Sequence, residues 1–80
     1  MQIKSKSNGK LVIVPPYTTL FYENGSHPVP EAIYFSDEKL GIILEYIDHH
    51  EWETVYILIE ETIYIYEDQK EKFRIKILED

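Results

Sequence analysis

The sequence contains no cysteine, which excludes disulfide bonds, thiolate zinc sites and cysteine nucleophiles. Glycine is scarce as well, and two of the three glycines complete the hairpin-type turns Asn8-Gly9 and Asn24-Gly25. No glycine-rich phosphate loop and no G-x-S-x-G nucleophile motif is present. The N-terminal apolar run, LVIV, is too short for a signal peptide or a membrane span. We therefore expect a cytoplasmic protein that is not an enzyme, has no catalytic residues and binds no cofactor.

Basic residues are almost absent from the middle of the chain. Between Glu23 and Asp68 there are twelve acidic residues and one base, Lys39, so this segment has a charge of −11 in a chain of net charge −7. Such a segment repels nucleic acid and anionic lipid and attracts basic surfaces. We therefore expect a basic nucleic-acid-binding protein as partner, no direct nucleic acid binding, no membrane binding, and a monomer or weak dimer.

The sequence patterns predict one domain, residues 1–80, of the α+β class. Strands are predicted from the β-branched and aromatic segments LVIV, YTTLFY, AIYF, TVYILI, TIYIY and FRIKIL. Ser36 followed by two acids resembles a helix start, and an i, i+3, i+4, i+7 stripe of aliphatic residues follows it. We therefore expect an antiparallel sheet of five to six strands, the last three contiguous, with one α-helix over about 37–49 packed on one face.

The same patterns predict which side chains form the core. The helical stripe and the alternating strands contribute Leu40, Ile43, Leu44, Ile47, Ile57, Ile63, Ile65 and Ile75. In the final hairpin, matching the aliphatic faces leaves Tyr64 and Tyr66 on the opposite face, near Arg74 and Lys76.

The stretch YIDHHEWE, residues 46–53, gathers two histidines, several carboxylates and the single tryptophan. Adjacent histidines project about 100° apart on a helix, so His49 and His50 seldom share one metal ion. The remaining histidine, His27, lies before a proline in a distant loop. We interpret the stretch as a solvated helix end and expect no metal site, with a site of two histidines and a carboxylate as the alternative.

The acidic side chains are the remaining functional signal, because like charges at close spacing on a helix cost stability unless a partner neutralises them. The predicted partner-binding residues are Asp37, Glu38, Glu45, Asp48, Glu51, Trp52, Glu53, Glu60, Glu61, Glu67 and Asp68. Two interpretations of the acidity stay open, binding of a basic partner and simple solubility. Two interpretations of Trp52 also stay open: it is buried in the core, or it is half-exposed and anchors an interface.

In size, acidity and absence of cysteine, the chain resembles the small phage-encoded host-takeover proteins, and especially the DNA mimics. The resemblance covers the whole chain and depends on no motif. The Glu-Ser-Ile signature of the uracil-DNA glycosylase inhibitors, for example, does not occur in this sequence. The resemblance implies an inhibitor that occludes the DNA-binding surface of a basic protein, such as a histone-like nucleoid protein, RNA polymerase or a defence nuclease.

Two further classes fit the same residues. One is a protein-interaction module that docks through a tyrosine-bearing sheet face or an edge strand. The other is an antitoxin or immunity protein that neutralises a basic nuclease. Neither requires DNA mimicry.

Overall fold

The computed structural model describes residues 8–23 and 31–78, which form one antiparallel sheet. Its strands are β1 (Leu11–Val14), β2 (Leu20–Tyr22), β3 (Ala32–Ile33), β4 (Lys39–Asp48), β5 (Trp52–Ile59), β6 (Thr62–Gln69) and β7 (Lys76–Ile77). Across the sheet the order is β3-β2-β6-β5-β4-β1-β7. The principal extents are 29 × 27 × 23 Å. Because one flat layer is only about 10 Å thick, this sheet must curl strongly around its own side chains.

The predicted helix over 37–49 is wrong, and the segment forms the long strand β4 instead. Within residues 8–23 and 31–78 the only helical element is the short 3-10 turn Lys70–Lys72. The segment KLGIIL is almost continuously apolar, so it satisfies the helical period and also places apolar side chains on both faces of a strand. Pairing with β1 on one side and β5 on the other selects the strand. A register shift between Ile43 and Glu45 marks a β-bulge.

The core lies on the concave side of the sheet, which we call the inner face. Its buried apolar residues are Val12, Val14, Leu20, Ile43, Val55, Ile57, Ile59, Tyr64, Tyr66 and Ile75. The prediction is confirmed for Ile43, Ile57 and Ile75. Leu40 and Leu44 are 56% and 41% exposed, so their predicted burial is wrong. The other predicted core residues, Ile47, Ile63 and Ile65, are half-buried.

The two faces of the final hairpin are inverted relative to the prediction. Tyr64 and Tyr66 are buried on the inner face, where Tyr64 packs edge-on against Phe35 and Tyr66 against Phe73. The Tyr66 hydroxyl donates to Asp68 and accepts the Arg74 backbone N–H, so burial leaves it satisfied.

The expected contiguity of the last three strands is also wrong. Strands β5 and β6 are neighbours, but β7 pairs with β1 at the far edge of the sheet. Lys76 therefore lies opposite Ile13 and not beside a tyrosine.

The predicted α+β class with five to six strands is therefore wrong, because the described residues form an antiparallel sheet of seven strands. The other predicted strands overlap observed ones. LVIV forms β1, and the C-terminal half of YTTLFY forms β2. Gly9 has φ +86°, as the predicted turn requires. The first strand of the predicted N-terminal hairpin and the turn at Asn24-Gly25 lie outside the described residues. Among the residues that the structure describes, no helix is long and apolar enough to cross a membrane.

Candidate protein-binding surface

The predicted partner-binding residues do not share one helix face, because the helix is absent. The structure places most of them at opposite ends of strands β4 to β6. We call one group the first acidic end: Asp37, Glu38, Glu60 and Glu61. We call the other the second acidic end: Asp48, Glu51, Glu53, Glu67 and Asp68, with Trp52 among them. The eight residues of β5 separate the two ends by roughly 23 Å, at about 3.3 Å per residue.

The carboxylates of the first acidic end are solvent-exposed. Glu60 makes one loose ion pair, in which Lys39 Nζ lies 4.0 Å from its Oε1. The Lys39 ammonium also lies over the Phe35 ring, 5.2 Å from its centroid. In the described part of the chain, Glu61 has no hydrogen bond or ion pair. A partner can therefore reach the Glu61 carboxylate without breaking an intramolecular contact, and the Glu60 carboxylate by breaking one loose ion pair.

The carboxylates of the second acidic end are mostly engaged within the protein. Glu53 accepts the Tyr46 hydroxyl, and Glu67 accepts the Thr54 hydroxyl at 2.8 Å. Asp48 lies 2.8 Å from Lys70 Nζ, and this hydrogen-bonded pair lowers the pKa of Asp48 and raises that of Lys70. These contacts order the β4–β5 turn.

Glu51 differs from its neighbours at this end, because its side chain is exposed and forms no hydrogen bond or ion pair with the residues that the structure describes. It is therefore the carboxylate of the second acidic end that is most available to a partner.

Residues 46–53 form the end of β4, the turn and the start of β5. His50 has φ +85° and directs its backbone N–H to Asp48 Oδ1 at 3.0 Å. His49 Nε2 lies 2.8 Å from Thr54 Oγ1. No group of three His, Cys, Asp or Glu side chains suited to a metal ion occurs within residues 8–23 and 31–78. His27 lies outside the described residues.

The chain of contacts from His49 through Thr54 to Glu67 resembles a catalytic triad in composition. Thr54 has a single hydroxyl proton, and it donates that proton to Glu67. His49 Nε2 must then be the donor to Thr54, so it cannot accept the hydroxyl proton as a base. Since Thr54 is also buried, the arrangement braces the turn and does not activate a nucleophile.

Trp52 is 54% exposed, which excludes the interpretation of a core tryptophan. Its ring meets His49 edge-on, with ring centroids 6.3 Å apart. Trp52 lines two surface depressions, one of about 410 Å³ with His49, His50 and Glu51, and one of about 530 Å³ with Glu51, Lys70 and Glu71. A half-exposed tryptophan beside such depressions has the form of an interface anchor.

Between the two acidic ends lies a surface that the sequence predictions missed, the convex side of the sheet, which we call the outer face. Its exposed aliphatic residues are Leu11, Leu40, Ile42 and Leu44. Leu58 and Tyr56 adjoin them on β5, half-buried. The signal was present in the sequence: KLGIIL and VYILI lack the polar alternation of a strand with one solvated face.

Comparisons with known proteins do not extend these observations. No protein-family model, curated protein or solved structure matches the chain. The features that bear on function are therefore the two acidic ends, Trp52 and the outer face.

Proposed function

We propose that this protein is a non-catalytic, cytoplasmic binding protein that occupies the nucleic-acid-binding surface of a basic protein. The observation that supports the proposal is the exposed carboxylates at both ends of one sheet, in a segment that carries −11 between residues 23 and 68. A surface that binds phosphates presents lysine and arginine, and these also attract carboxylates.

The two ends make different contributions to this proposal. At the first acidic end, Glu61 and its neighbours are exposed and steer the encounter with a basic surface. At the second, Glu51 is exposed beside the half-exposed ring of Trp52, so one carboxylate and one aromatic ring meet the partner together. An arginine side chain can pair with the carboxylate and stack on the indole.

Competition with DNA tests the proposal. The probes are a purified histone-like nucleoid protein, RNA polymerase and a DNA-cleaving defence nuclease, each with fluorescently labelled duplex DNA. We expect the protein to displace DNA from at least one of them and to bind no DNA itself. Because the Debye length is about 8 Å at physiological ionic strength, the displacement should weaken as salt is raised. A ternary complex of partner, DNA and this protein would contradict the proposal.

Charge reversal identifies the carboxylates that act. Asp48 is a poor choice because it pairs with Lys70, so we choose Glu51→Lys and Glu61→Lys, one at each acidic end. Both side chains are exposed, and we expect the double variant to fold normally and to lose displacement. Glu23→Lys/Glu31→Lys is the matched control, since it makes the same change of charge at two exposed glutamates that flank β2 and β3. An equal loss in the control would show that net charge alone acts.

A further inference from the structure

The outer face is as rich in apolar side chains as a buried sheet face, yet several of these side chains are exposed to solvent. Strands with both faces covered are almost continuously apolar, whereas strands with one solvated face alternate. In β4, Ile43 lies on the inner face and is fully buried. Leu40, Ile42 and Leu44 lie on the outer face, and 40 to 56% of their surface is exposed. Isolated exposed leucines are ordinary, but a contiguous exposed aliphatic patch marks an interaction surface.

Cross-strand pairing makes this patch contiguous. Leu11 on β1 lies opposite Ile42 on β4, and Ile42 lies opposite Leu58 on β5. Leu58 in turn lies opposite Ile63 on β6. One row of aliphatic side chains therefore crosses four strands at the spacing of directly paired residues.

A shallow depression lies along this row. It has a volume of about 200 Å³, and its lining includes Leu11, Leu40, Ile42 and Leu58 together with Glu60 of the first acidic end. An aliphatic side chain of a partner can enter it while an adjacent lysine or arginine reaches the Glu60 carboxylate. The depression thus combines the two chemistries of the surface, apolar contact and negative charge.

The charges around the face decide what covers it. The carboxylates of Glu45, Glu60 and Glu67 border the patch, and among the residues that the structure describes the amine of Lys76, opposite Ile13, lies at its β7 edge. A second copy of the chain would bring together two surfaces that are mainly acidic, each belonging to a chain of charge −7. Like-charge juxtaposition disfavours that association, whereas a basic border is attracted.

We propose that the outer face is the docking surface for a protein whose contact region has an aliphatic centre bordered by lysine and arginine. The identity of that protein rests on the proposed function, but the location of the surface does not. Apolar contact across the centre supplies affinity that salt does not screen, and the carboxylates supply orientation and encounter rate.

The double variant Leu40→Thr/Ile42→Thr tests the location, because threonine keeps the strand preference and removes the apolar surface. The probe is whichever of the three basic proteins binds at low salt, with or without displacement of DNA. We expect the double variant to have a dissociation constant about tenfold higher or more than that of the wild type. Raising the salt concentration should weaken its binding by a larger factor than it weakens wild-type binding, and its melting temperature should stay close to that of the wild type. Tyr34→Thr is the control, because Tyr34 is also exposed but follows β3 at the opposite edge of the sheet.

Three results would overturn the docking surface. The first is a double variant that binds the probe as tightly as the wild type. The second is a double variant that loses much of its stability, which would mean that the chain itself covers the face. The third is a wild-type dimer in sedimentation that the double variant converts to a monomer, which means that a second copy covers it. Binding without displacement of DNA contradicts only the proposed function, and displacement that survives in the double variant contradicts only the docking surface.

Discussion

The inner and outer faces of the sheet are built from similar side chains but differ in what surrounds them. Ile43 and Leu44 are adjacent aliphatic residues on β4, yet Ile43 is fully buried and Leu44 is 41% exposed. The curl of the sheet encloses the inner face, which is closed further by Ile75 and by the rings of Phe35 and Phe73. Apolar content therefore does not by itself identify the core, because the direction of curvature decides which of two apolar faces is buried.

The largest expected effect is a difference in stability between two neighbouring alanine substitutions. Ile43→Ala removes a fully buried side chain and should cost about 2–5 kcal/mol of unfolding free energy. Leu44→Ala removes a half-exposed side chain from the outer face beside the bulge and should cost less than about 1 kcal/mol. Urea denaturation of the two variants measures both values. Equal losses would mean that the outer face is also buried in the isolated chain.

The helix over 37–49 could not have been excluded from the aliphatic stripe alone. Leu40, Ile43, Leu44 and Ile47 have helical spacing, but Ile42 lies off the stripe and completes an alternating set with Leu40 and Leu44. Only the pairing of β4 with β1 and β5 decides between the two, and the partners of β4 on β1 lie far away in sequence. Short strands such as LVIV were predictable because β-branched residues and the following prolines left one interpretation.

The next effect concerns Gly41, which lies on the inner face of β4 opposite Val12. A Cβ at this position would lie 2.6 Å from Ile57 Cγ2 and 3.0 Å from both Ile59 Cγ1 and the Leu58 carbonyl oxygen. Gly41→Ala should therefore cost about 1–3 kcal/mol through overpacking, although alanine usually stabilises a strand interior relative to glycine. Thermal and urea denaturation measure the loss.

A double-mutant cycle separates overpacking from other causes. In an Ile57→Ala background the closest contact is removed, and Gly41→Ala should then cost less than in the wild type. An unchanged cost would assign the loss to the backbone or to the contacts with Leu58 and Ile59. Either result sharpens the contrast between the faces, since the outer face has no comparable constraint at Leu40.

The candidate site was predictable in composition but not in arrangement. The charge block between residues 23 and 68 is evident in the sequence, and the acidic residues were named from it. Their division between two ends depends on the turns after β4 and β5, and the engagement of Glu53 and Glu67 depends on Tyr46 and Thr54 across the sheet. The charge of a segment can be counted from the sequence, whereas the hydrogen-bond partners of a carboxylate can be known only once the register of the paired strands is known.

The smallest expected effect is at Tyr66, where the inner face ends in a polar contact. Burial, with the hydrogen bond to Asp68, raises the pKa of Tyr66 from 10.0 to about 12, and burial with the contact to Glu53 also raises the pKa of Tyr46. A raised pKa means that the fold favours the protonated phenol. The stabilisation is therefore complete below about pH 10 and is lost as the pH rises toward 12.

Measuring the free energy of unfolding at increasing alkaline pH checks this prediction. Tyr66→Phe should lose about 0.5–1.5 kcal/mol at neutral pH, because Asp68 and the Arg74 N–H lose a partner. Above pH 10 its stability should fall less steeply than that of the wild type, because the buried phenol no longer has to ionise. Tyr34→Phe is the control for the tyrosine-to-phenylalanine change itself, because the Tyr34 side chain is exposed. Identical alkaline slopes for wild type and Tyr66→Phe would show that the hydroxyl is solvated, and that the inner face is open to solvent at this end.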